Sequence, residues 1–283
     1  MNNFKTTILL TLLMVLFMAI GQAFGGASGL YFMFAMSLAM NFGAYWYSDK
    51  IVLSMYNAKE VNAQTAPELV RMVAGLAKKA QMPMPKVYIM NTDVPNAFAT
   101  GRNPENAAVA ATSGIMRALS YEELEGVMAH ELAHVKNRDT LISTIAATMA
   151  GAITMLVRWF AFFGGGRGNN NNSGNLIISL LMMILAPLAA MLIQMAISRS
   201  REFVADETGA RISGKPLALA NALRKIENYA QQKVLPNATP ATSNMFIINP
   251  LSGTRSMFSN LFSTHPATAQ RIAKLEQLNK ALR

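Results

Sequence analysis

The sequence contains no cysteine. Disulfides and thiolate-held metal are excluded, so any transition-metal site must be built from His, Asp or Glu. Histidine is itself scarce, with three in 283 residues. Charge is scarce as well: 14% of the chain is charged, against 52% hydrophobic residues and 21 methionines. Soluble domains carry roughly 25% charged residues, so this balance points to membrane spans. The net charge of +10 comes without a basic cluster interleaved with aromatics and without a nucleic-acid motif, so no nucleic-acid partner is expected. The surplus of Lys and Arg is better explained by loops on the cytoplasmic face of a membrane.

From Thr6 to Ser48 there is no charged residue. A bilayer core of about 30 Å needs about 20 helical residues, so this stretch suffices for two crossings. Gly25, Gly26, Ala27, Ser28 and Gly29 form the natural break, placing spans near Thr6–Phe24 and Leu30–Tyr47. Tyr45, Trp46 and Tyr47 then anchor the second span at the interface. Apolar runs at Leu141–Val157 and Leu176–Ser198 give a third and a fourth span, joined by a Gly- and Asn-rich connector. Lys5, Lys50, Lys59, Lys136, Arg138, Arg199, Arg201 and Arg211 flank the spans on one side, and only Arg158 and Arg167 lie on the other. Both termini and both long polar segments are therefore expected in the cytoplasm.

The expected organisation is two spans in residues 6–48, a first soluble piece in 49–139, two further spans in 140–198 and a second soluble piece in 199–283. Because the third and fourth spans form a hairpin, the two soluble pieces meet on the same side and can build one domain. In the first piece, Thr65, Pro67 and Glu68 read as a capping box opening a helix with Leu69, Met72, Val73 and Leu76 on one face. Lys86–Met90, Ala97–Thr100 and Ala107–Thr112 read as short strands. Ser120 and Glu123 form a second capping box. The expected fold class is α+β: four transmembrane helices plus a cytoplasmic domain with a small antiparallel sheet.

The helix opened by Ser120 carries His130-Glu131-Leu132-Ala133-His134. Histidines four positions apart leave the same helix face and can reach one metal ion. Glu131 lies beside them, placed to take a proton from a metal-bound water without binding the metal. A hydrolytic zinc site needs a third protein ligand and an open position. Candidates are Glu122, Glu123, Asp139, Glu202, Asp206 and His265. Glu122 and Glu123 lie two turns upstream on the same helix, and Asp139 would have to fold back from its end. Glu202 follows the fourth span, so it returns to the membrane face near which His134 lies. Glu202 and Asp206 share a helix face at i, i+4. Glu202 is assigned as ligand and Asp206 as the carboxylate that accepts the N–H of a ligating histidine. Taken alone, the charges around Glu202 would read as a solvated helix face.

HELAH, a hydrophobic hairpin, and then SRSREFVADETGA over Ser198–Ala210 resemble the HtpX family of bacterial membrane metalloproteases, relatives of the eukaryotic CAAX prenyl proteases. Further matches are Asn96–Gly101, Ser263-Thr264-His265-Pro266 and Arg271, in order along essentially the whole chain. The resemblance implies one Zn²⁺ per subunit held by His130, His134 and Glu202, with Glu131 as the catalytic residue. His265, the one remaining histidine and part of a matching motif, is assigned as a hydrogen-bond donor to the developing oxyanion. The expected protein is a zinc endopeptidase of the bacterial inner membrane. Its expected partners are the lipid bilayer and protein or peptide substrates, membrane and misfolded proteins among them, and the resemblance places it in stress-linked quality control. A non-catalytic zinc-containing scaffold or chaperone is the alternative. Glu131 weighs against it, because a closed structural site needs no base.

Overall fold

The computed structural model describes residues 2–146, 148–149, 199–232 and 266–282. The chain starts with α1 (Asn2–Met55), two apolar helical arms that reverse at Gly26, whose φ of 57° and ψ of −145° favour glycine. The arms pack together through Leu13, Phe17 and Ala44, joined by Leu141, Ile145 and Met149 from a helical stretch beginning at residue 140. Asn41 Nδ2 donates to the Leu10 carbonyl across the hairpin at 3.2 Å. Phe32, Leu38, Phe42 and Trp46 lie on its exposed face. Among the described residues one helix, Gly25–Met55, is long and apolar enough to cross a membrane, and the first arm contributes a shorter apolar stretch, Leu10–Ala19. Most of the third apolar run and all of the fourth lie outside the described residues.

Four strands follow: β1 (Lys59–Val61), β2 (Lys86–Met90), β3 (Ala97–Gly101) and β4 (Ala107–Thr112), in the order β1-β2-β4-β3. The sheet is mixed, where a small antiparallel sheet was expected. β2 and β4 run parallel, pairing Lys86 with Ala108 through Met90 with Thr112, while β1 and β3 are antiparallel to their neighbours. The β3–β4 hairpin is local and legible, but it inserts its second strand beside β2. That turns β4 into the same direction as β2 and leaves β3 at the edge.

The sheet separates two apolar layers. Val52 and Leu53 at the end of α1 pack on one face with Met90, Phe98, Ala108 and Ala110. The other face, through Val87, Val109 and Ala111, joins the main core with α2 (Pro67–Ala80) and α4 (Tyr121–Lys136). Between β4 and α4 lies the short α3 (Ser113–Ala118). α2 starts at Pro67, and the capping box expected there does not form. Thr65 Oγ1 accepts instead from the Asn62 N–H at 2.9 Å, and proline, lacking an N–H, occupies the first helical position. Ser120 does cap α4: its Oγ accepts from the Glu123 N–H at 3.3 Å, and Glu123 Oε2 accepts from the Ser120 N–H at 2.8 Å.

The second piece of chain closes over α4. It comprises α5 (Arg199–Ser213), α6 (Pro216–Gln232) and α7 (Thr268–Ala281). Leu219, Ala220, Leu223 and Ile226 of α6, Ala205 and Ala210 of α5 and Leu275 of α7 enter the same core as Val127, Leu132 and Val135 of α4. α4 is thereby buried on nearly every side, so its polar groups need partners within the protein.

Candidate metal centre

His130 and His134 stand one helical turn apart on α4, with their rings edge to face and their Nε2 atoms 3.2 Å apart. α5 crosses α4 at this level. Its Glu202 places Oε1 3.4 Å from His134 Nε2 and Oε2 3.8 Å from His130 Nε2. The structure thus brings together the three residues assigned as ligands, with one donor atom from each lying within 4.8 Å of the others. Two imidazole nitrogens on a tetrahedral metal, each at 2.0–2.1 Å, stand about 3.3 Å apart. The donor set and its spacing fit one divalent ion of the kind that takes nitrogen and oxygen ligands.

The charges around the site agree with that fit. Glu131, Asp139, Glu202 and Asp206 are buried, with Arg271 buried and Arg201 largely buried among them. Four carboxylates against two guanidinium groups leave an excess of two negative charges, which a low-dielectric interior tolerates poorly and a divalent ion cancels. His134 feels this field. Burial works against its charge, yet Asp139 and Glu202 raise its pKa to about 10. Positive charge is favoured at that position.

Each histidine is backed by a carboxylate. His130 Nδ1 lies 3.0 Å from Asp206 Oδ1, the partner expected from the i, i+4 spacing. Arg271 grips Asp206 with two hydrogen bonds, Nε to Oδ2 at 2.8 Å and Nη2 to Oδ1 at 2.7 Å. Its Nη1 lies 3.3 Å from Glu202 Oε2. Burial opposes the charge of Asp206, but Arg271 and His130 hold its carboxyl below the usual range. The same carboxylates push the Arg271 guanidinium upward against burial.

Behind His134 stands Asp139, with Oδ2 3.5 Å from Nδ1. The helix end explains its position. Arg138 adopts φ of 58°, the Asp139 N–H donates to the His134 carbonyl at 2.9 Å, and the Arg138 N–H donates to the Val135 carbonyl at 3.0 Å. This is a Schellman cap, and it folds Asp139 back over the last turn of α4. Asp139 is therefore not a fourth ligand but the partner of a ligand candidate.

Glu131 lies on the adjoining face of α4. Its Oε2 accepts from the Ala99 N–H of edge strand β3 at 2.9 Å. Burial pushes its carboxyl above the usual range, although the two histidines and the Ala99 amide act the other way. Neighbouring β3 groups are held by the helical stretch after Asp139. Thr140 Oγ1 donates to the Gly101 carbonyl at 2.9 Å, and the Thr100 and Thr144 hydroxyls share a 3.0 Å hydrogen bond.

Reading the residues alone gave no role to Asp139, Arg271 or the Ala99 amide. For Arg271 the signals were its place among the residues that carry the resemblance and its position one turn before Leu275 on α7. His265 lies outside the described residues.

A His-His-Glu donor triad, a buried carboxylate beside it and an apolar hairpin at the head of the chain are the features of a membrane metalloprotease. Comparison with known proteins agrees. Residues 63–279 match Peptidase family M48, and the chain belongs to that family. It is 60% identical over 276 residues to a Protease HtpX homolog of Methylibium petroleiphilum, covering 97% of this chain and 96% of the relative. It is 58% identical over 281 residues to a Protease HtpX homolog of Thermodesulfovibrio yellowstonii, covering 98% and 99%. Its fold is similar to that in the crystal structure of S. mikatae Ste24p, with a TM-score of 0.55 and 16% identity. That alignment covers 97% of this chain, which spans 65% of the length of the Ste24p chain.

Proposed function

We propose that this membrane metalloprotease is a zinc-dependent endopeptidase whose catalytic domain is formed in the cytoplasm by residues 49–139 and 199–283. Residues 6–48 and 140–198 would supply four spans in a bacterial inner membrane. The charge asymmetry along the sequence supports that orientation, and the packing of α5 and α6 on α4 supports a single domain built from both pieces.

The convergence of His130, His134 and Glu202 carries the reading. These residues would hold one zinc ion, which when bound supplies a Lewis acid that lowers the pKa of water and polarises a peptide carbonyl. Glu131 takes the proton of the attacking water and passes it to the leaving amine. Two features of the site suit it to that task. Burial raises its proton affinity, and the Ala99 N–H fixes one carboxylate oxygen. Asp206 and Asp139 lie against the Nδ1 atoms of His130 and His134, which would leave both Nε2 atoms to hold the ion. His265 is proposed as a hydrogen-bond donor to the oxyanion, on the strength of the resemblance alone. Membrane and misfolded proteins as substrates, and a part in stress-linked quality control, are proposed on the same ground.

Proteolysis of an unfolded protein by the detergent-solubilised enzyme tests the reading. Chelation should abolish cleavage and added zinc should restore it. Cleavage that persists undiminished in chelator would remove the metal from the mechanism.

A further inference from the structure

Asp139 and Arg201 form an ion pair that the mechanism above does not use. Arg201 Nη1 lies 3.9 Å from Asp139 Oδ1, and the other oxygen of the same carboxylate faces His134. Both side chains are largely buried, with 15% and 8% of their surfaces exposed. Their places in the chain are singular. Asp139 immediately precedes the third apolar run, Arg201 follows the fourth, and Arg201 is the neighbour of Glu202.

We infer that Arg201 is a positioning residue of the metal site: acting through Asp139, it fixes the imidazole of His134 and ties it to the start of the helix that carries Glu202. The inference rests on the metalloprotease reading of the same residues.

The geometry supports the role in three ways. First, the Schellman cap sets the Asp139 backbone, and the two carboxylate oxygens then divide between two partners, Oδ2 toward His134 and Oδ1 toward Arg201. Secondly, both side chains of the pair are largely enclosed by protein, where solvent and salt screen the contact little. Thirdly, the pair joins the C-terminal end of α4 to the N-terminal end of α5, the two elements that carry all three ligand candidates. The His130–Asp206 contact joins the same two helices one turn further along α5. The cage is thus pinned at two points. One of them joins residues that flank the third and fourth apolar runs of the sequence.

The test uses the full-length protein in detergent and zinc ion as the probe, with affinity read by competition against a chelator. Arg201→Met should weaken zinc binding 10- to 100-fold, the usual range for a lost outer partner. Arg201→Lys should recover most of it. In an Asp139→Asn background, Arg201→Met should add less than about twofold, because the two act in series. Zinc affinity of Arg201→Met equal to wild type, or losses that multiply in the double variant, would overturn the inference. Should Arg201→Met not fold, Arg201→Gln alone and combined with Asp139→Asn provides the same cycle with the same opposing outcomes. A wild-type protein that binds no zinc would instead refute the site reading itself, so the two failures are distinguishable.

Discussion

Gly209 of α5 lies directly against the backbone of His130: a Cβ added there would sit 2.8 Å from both the Cα and the N of the histidine. Main chain cannot move aside as a flexible side chain can. This contact lets α5 approach α4 closely enough for Glu202 to reach the histidine pair. Gly209→Ala should therefore push the helices apart, destabilising the fold by about 1–3 kcal/mol, as overpacking does. It should also lower zinc occupancy. Thermal melting and metal content, measured on the same sample, check both effects, and an alanine variant with wild-type zinc occupancy would show that the helix spacing is not critical.

Arg271 is 1% exposed and bound bidentately to Asp206. Arg271→Met would strand two buried carboxylates, Asp206 and Glu202, at a cost of about 3–5 kcal/mol. Arg271→Lys should recover only part, since an ammonium cannot match the two-point grip. Combining Arg271→Met with Asp206→Asn should be less damaging than Arg271→Met alone. Equal stability of the single and double variants would contradict the pairing.

Ala99 sits on the edge strand with its N–H turned to Glu131. Proline at an outward-facing edge position removes that donor without taking a hydrogen bond from the β3–β4 ladder. Ala99→Pro should lower kcat about tenfold, within the range for lost outer partners, and leave zinc occupancy intact. An unchanged kcat would mean the amide does not orient the base.

Glu123 closes the capping box of α4 and pairs with Lys225 at 2.7 Å. Burial alone would raise its pKa, but Lys225 and the Ser120 contacts lower it below the usual carboxylate value. A depressed folded pKa gives a contribution that is full above the unfolded carboxylate pKa and is lost as pH falls through the lower folded value. Glu123→Gln keeps a neutral cap but forfeits the charged pair. Its deficit in melting temperature against wild type should be present at pH 7 and shrink below about pH 4. A deficit independent of pH would contradict the assignment.

Much of this site was legible because its spacing is local. Histidines at i, i+4 and carboxylates at i, i+4 each define a helix face whatever the tertiary fold, and the hairpin logic brought the two faces together. What escaped depended on non-local pairing or unusual backbone. The direction of β4 relative to β2 depends on where a hairpin docks, and β1 is too short to show alternation. Asp139 reads as a poor ligand because it would have to fold back from the end of α4, and a positive φ at Arg138, not at a glycine, makes that turn and sets it against His134. Arg271 carries no sign in its neighbours that it will be buried against an aspartate 65 positions earlier.

The most direct measurement is the zinc content of wild type, Glu131→Gln and Glu202→Ala, determined beside their proteolytic activity. One zinc per chain in wild type and in Glu131→Gln, with activity lost in the latter, and a sharply lower zinc content in Glu202→Ala are the predicted results. Full zinc in Glu202→Ala, or full activity in Glu131→Gln, would contradict the assignment of these residues.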